Sequence, residues 1–117
     1  MRKFDTIDER LDYIEFRQRL LFDDDSVSRL LFEYEITHNE YTGIMDLMDK
    51  YREKIDKKES VYSGTFEDEI YLIVPLHKGD YHFCEYITKA FMENRRWEEV
   101  FLALYGDSPK YSYLKKS

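Results

Sequence analysis

His82 and Cys84 stand two residues apart, with His77 five residues before His82 across a Gly79-Asp80 turn. An imidazole beside a thiol is the raw material of a nucleophilic pair or a metal site. A metal centre needs three or four ligands with a supporting outer shell, and the spacing of these residues matches no helical ligand motif. A thiol nucleophile needs an orienting third group and an oxyanion-binding element, and the flanking sequence supplies neither. The sequence reading is a packed, inert Cys84, with no metal and no cofactor expected.

The carboxylates are more numerous. Glu67 through Glu69, Glu98-Glu99 and the triplet Asp23-Asp24-Asp25 all place acids side by side. Neighbouring acids on a helix point in different directions and make a solvated face, whereas catalytic pairs come from separate elements closing on a cleft. The triplet lacks the alternating ligands and glycine of a calcium loop. No phosphate-cradling glycine loop and no Gly-x-Ser-x-Gly elbow occur. The expectation is a protein that binds rather than one that turns over a substrate.

Composition narrows the partner. Twenty of 117 residues are aromatic, eleven of them tyrosine, and the net charge is −7. Residues 1–56 carry a net −6 and residues 57–106 a net −3, while the stretch from Asp107 is +2. An acidic body repels phosphate backbones and favours a basic protein partner, so direct nucleic-acid binding is not expected. The longest uncharged apolar run, Ile70 to Leu76, is seven residues, against roughly 20 for a membrane-spanning helix. The N-terminus has a basic start without an apolar core and does not read as a signal peptide. With a single cysteine, these features suit the cytoplasm.

The elements that must position these groups read as an all-α, compact multihelical bundle of five to six helices in one domain, residues 1–106, followed by a flexible basic tail, 107–117. Thr6 and Glu9 form a capping box for a helix from Ile7 to Phe22, whose stripe is Ile7, Leu11, Ile14 and Leu21, widened by Tyr13 and Leu20. Asp23 to Asp25 break it. A short helix follows to about Ile36, with Val27, Leu30, Leu31 and Tyr34 inward. Thr37 and Glu40 box a third helix to about Ile55, with the stripe Tyr41, Ile44, Met45, Met48, Tyr51 and Ile55; the two methionines read as core. Thr65 caps a fourth, Phe66 to Val74. That run is also compatible with a buried strand, but it has no partner strand, so helix is preferred. A fifth spans Tyr81 to Glu93 and a sixth Arg96 to Tyr105, ended by Gly106 as a left-handed cap.

Three features suit an interface. The Asp23, Asp24 and Asp25 triplet offers concentrated negative charge. Trp97, beside Arg95 and Arg96, is either an interface anchor or a core tryptophan. The aromatics outnumber what a domain of this size needs inside, leaving Tyr62, Tyr111 and Tyr113 available for contact.

The opening Ile7-Asp-Glu-Arg-Leu-Asp-Tyr-Ile, the Thr37-to-Met48 helix, the Thr65-Phe66 start and the closing Trp97-Glu-Glu-Val-Phe-Leu-Ala-Leu-Tyr together resemble the YhaI-like family of small all-helical proteins of Bacillus and its phages. The resemblance covers roughly residues 6–105 and rests on helix signatures rather than one sharp motif. It implies an all-α fold, oligomer formation as an option, and no catalytic residues to carry over. A weaker likeness is to YosL-like prophage proteins, which implies restraint of a host toxin of the MazF type that cleaves messenger RNA. The sequence thus leads to a non-enzymatic regulatory protein that masks a basic partner, with a homo-oligomer of structural role as the alternative and a small metal-dependent hydrolase behind it.

Overall fold

Helix α1 begins at Ile7 because Thr6, in an extended conformation, turns its hydroxyl back to accept from the Glu9 amide at 3.1 Å. The Glu9 carboxylate accepts from Asp5 rather than from Thr6, so the expected capping box is only half formed. The computed structural model describes residues 2–107. It contains α1 (Ile7–Asp23), α2 (Ser26–Glu33), α3 (His38–Asp56), α4 (Ser63–Ile73), α5 (Tyr81–Glu93) and α6 (Glu98–Tyr105), with a single 3-10 turn at Pro75–His77. No strand occurs among the described residues. The all-α bundle is as expected, and the ambiguous run after Phe66 is helix.

Each junction has its own device. Asp24 takes a left-handed conformation (φ 47°) to close α1, and Asp25 then caps α2 by accepting from the Ser28 amide at 2.8 Å. Asp tolerates this conformation better than most residues. Helix α2 stops at Glu33, three residues short of the expected end. Glu35 turns left-handed (φ 55°) and the Ile36 amide donates back to the Leu31 carbonyl at 2.9 Å. That closure drives Ile36 fully into the core. The box at α3 is complete, with Thr37 and Glu40 each satisfying the other's amide at 3.1 and 3.0 Å.

Two expected termini move. Helix α4 starts at Ser63 without a side-chain cap, which leaves Thr65 inside its first turn. Helix α6 starts two residues late, because Arg95 and Trp97 are both left-handed (φ 61° and 52°). Such residues cost about 1 kcal/mol or more each and persist only where packing over-determines them. Here the Arg96 amide closes α5 on the Phe91 carbonyl at 2.8 Å, and the Trp97 ring packs edge-on against Phe91. Gly106 is not a left-handed cap: its φ is −63°.

Helix α5 is the axis of the core, contacting α2, α4 and α6, while α3 bridges α1, α4 and α6. Phe83, Cys84, Ile87, Ala90 and Phe91 on α5 are all buried, against Phe66 and Ile70 of α4 and Val100 of α6. From α3 come Ile44, Leu47, Met48 and Tyr51; of the expected stripe, Tyr41, Met45 and Ile55 are only partly buried against this core, and Leu47 is added to it. A Cβ at Gly43 would meet Cγ2 of Ile73 at 3.0 Å, so the bare glycine lets α3 and α4 approach closely.

Candidate interaction surface on the first helix

Helix α1 has two apolar faces, and the sequence stripe is the outer one. Tyr13, Phe16 and Leu20 face the core, whereas Ile7, Leu11, Ile14 and Leu21 are 76%, 50%, 42% and 62% exposed. Phe22 beside them is 90% exposed. Tyr13 and Phe16 win the inside because large rings remove the most apolar area from water. Phe16 meets His38 and Tyr41 of α3, and Tyr13 meets Phe4 of the incoming chain. Arg17 locks the α1–α2 contact, donating to the Phe32 carbonyl at 2.9 Å with its guanidinium 3.7 Å from the Phe32 ring.

A cleft flanks this helix on either side. One, of about 420 Å³, lies toward the start of α3 and is lined by Glu9, Asp12 and Glu15 with Arg19 and His38, over Tyr13 and Phe16. The other, of about 490 Å³, is lined by Arg2, Lys3, Arg10 and Arg17 with Glu35, over Phe4, Tyr13 and Ile14. Across one helix, therefore, the surface runs from acidic through apolar to basic. Among the described residues, Asp8, Asp12 and Glu15 have no cation within 4.0 Å. Sequence reasoning passed over these acids, although their spacing of four and three residues marks one ridge of a helix.

The expected interface residues are dispersed. Asp24 pairs with Arg29 at 2.8 Å, and that hydrogen bond and charge hold its carboxyl below the usual range. Asp25 is spent on the α2 cap, which leaves Asp23 as the uncommitted member of the triplet among the described residues. Trp97 is 7% exposed and belongs to the core, its indole donating to Asp49 Oδ1 at 2.9 Å. Tyr111 and Tyr113 lie outside the described residues. Tyr62 is 65% exposed, as expected of an available aromatic.

The His82–Cys84 pair is not brought together. Residues two apart on a helix diverge, so His82 stacks outside with Tyr81 and Tyr86 while Cys84 is fully buried. Burial, aided by the Glu67 charge, pushes the thiol up to about 12, against a smaller opposing effect of the Tyr71 hydroxyl. His77 is engaged elsewhere, its Nε2–H donating to the Tyr34 carbonyl at 2.6 Å. No group of three or more His, Cys, Asp or Glu side chains among the described residues is placed to hold a metal ion. No helix among them is long and apolar enough to cross a membrane. The chain matches no protein-family model, no curated protein and no solved structure.

Proposed function

We propose that this chain is a non-enzymatic regulatory protein that binds another protein and masks a basic surface on it. The observation that carries the reading is the acidic cleft between α1 and α3. Asp12 and Glu15 lack cationic partners among the described residues, and the cleft's floor is the aromatic pair Tyr13 and Phe16. An arginine or lysine side chain entering such a cleft gains both a carboxylate and a ring face. The wider charge supports the same partner class: residues 1–106 carry a net −9. A basic nucleic-acid-processing protein fits this chemistry, and a MazF-type messenger-RNA-cleaving toxin is the specific candidate that the YosL-like likeness supplies.

The test is binding of the purified chain to such a toxin, followed by calorimetry and by inhibition of RNA cleavage. Binding should weaken as salt rises from about 0.05 M to about 0.5 M, where the screening length falls several-fold. Asp12→Lys should weaken it further while leaving the helical circular dichroism intact. Binding that is indifferent to both changes would remove the cleft as the docking site. Absence of any basic partner from a low-salt pull-down would count against the reading as a whole.

A further inference from the structure

The outward stripe of α1 has a period that its own fold does not use. Ile7, Leu11, Ile14, Gln18 and Leu21 recur in alternating steps of four and three. This is the spacing of a seam between two helices. The core-facing residues Tyr13, Phe16 and Leu20 occupy the opposite side of the helix, so the seam remains uncovered once the core is complete.

We propose that a second copy of this chain covers the seam, laying its own α1 parallel and in register against the first. Charge selects both the occupant and its direction. Within the helix, one flank of the seam carries Arg10 and the other carries Asp8 and Glu15. In a parallel pair each flank residue meets the opposite flank of the other helix five positions on. Arg10 then faces Glu15 of the second copy, a contact occurring twice by symmetry. An antiparallel pair sets like charge against like. A uniformly acidic or basic partner satisfies only one flank, whereas a two-fold contact requires the self-complementary surface seen here. Gln18, inside the seam, meets its own equivalent across the axis, the position where a polar side chain fixes register.

The seam is only 15 residues long, and the contact falls below the roughly 800 Å² per partner of a standard interface. Association is accordingly weak and reversible. It does not rest on the partner reading above: it is measured on the chain alone, and although Glu15 belongs to both surfaces, Glu9 and Asp12 of the acidic cleft lie off the seam.

Sedimentation equilibrium of the purified chain, up to about 1 mM to reach the weak end of specific association, should show a monomer–dimer equilibrium. Leu11→Glu should abolish it with unchanged circular dichroism, since Leu11 is half exposed in the single copy. Arg10→Glu and Glu15→Arg should each weaken it by about tenfold, turning two symmetry-related attractions into repulsions. The double variant should restore it. Gln18→Cys should form a disulfide-linked dimer on mild oxidation, because the parallel register sets the two side chains face to face. A chain that remains monomeric at about 1 mM, a dimer that survives Leu11→Glu, or a double reversal that fails to rescue would each overturn the proposal.

Discussion

The indole of Trp97 donates to Oδ1 of Asp49 at 2.9 Å, tying the left-handed residue that opens α6 to the middle of α3. Arg96 is next to it, its guanidinium 4.7 Å from the indole ring and hydrogen-bonded to the Tyr41 hydroxyl of the same helix at 3.1 Å. Two consecutive residues thus anchor the α5–α6 turn on α3.

Trp97→Phe should therefore cost more than a lost ring contact. The Asp49 carboxylate is exposed and recovers a water, so the missing bond contributes about 1 kcal/mol. The smaller ring adds a void, for a total of about 2–3 kcal/mol. Asp49→Ala leaves the buried indole N–H without its partner and should cost about 1–3 kcal/mol. Urea midpoints of the two variants provide the comparison.

The two faces of α1 should respond oppositely to truncation. Phe16→Ala opens a cavity against His38 and Tyr41 and should cost about 3–5 kcal/mol. Leu11→Ser, on the outer stripe, should stay within about 0.5 kcal/mol in dilute protein. Denaturant unfolding at low micromolar concentration separates them, and equal losses would mean that the helix is rotated from the orientation described.

Stability should fall in acid partly through Glu69. Burial acts to raise its carboxyl, but hydrogen bonds from Lys50 at 2.8 Å and Tyr51 at 2.7 Å, with the charge of Lys50, outweigh burial and leave it below its ordinary value. A carboxyl depressed in the fold contributes stability above its unfolded pKa and loses that contribution as pH falls through the folded value. Glu69→Gln should flatten the loss of stability between about pH 5 and about pH 3. A wild-type slope retained in full by the variant would assign the acid sensitivity elsewhere, with Glu99 and its Arg52 partner next in line.

Cys84 should be unreactive in the folded chain. Its thiol is fully buried and held at about 12, so almost no thiolate exists near neutral pH. Labelling by an aromatic disulfide should follow global unfolding and accelerate only as denaturant approaches the midpoint. Rapid labelling in native buffer would show that the α4–α5–α6 packing opens locally.

Much of the architecture was legible in local chemistry. Thr37 with Glu40 marks the start of α3, the Ile44–Met48–Tyr51 repeat names its inner face, and Gly79-Asp80 precedes α5 where expected. These devices act within a turn or two of chain, so the residues carry them wherever the helix packs. Cap positions were less secure. Glu9 reaches Asp5 instead of Thr6, and Thr65 yields the start of α4 to Ser63.

The sequence alone determined that this chain is helical, acidic and rich in contact-forming rings, because propensity, capping and charge are properties of neighbours along the backbone. Only the tertiary structure decided which side of α1 is inside. Both of its faces are apolar, and a 3.6-residue period cannot rank two apolar faces of one helix. The choice fell to Tyr13, Phe16 and Leu20 because α2 and α3 offer Phe32, His38 and Tyr41 to that side. The same long-range packing drew Trp97 inward. It left Ile7, Leu11, Ile14 and Leu21 facing water between a basic cleft and an acidic one.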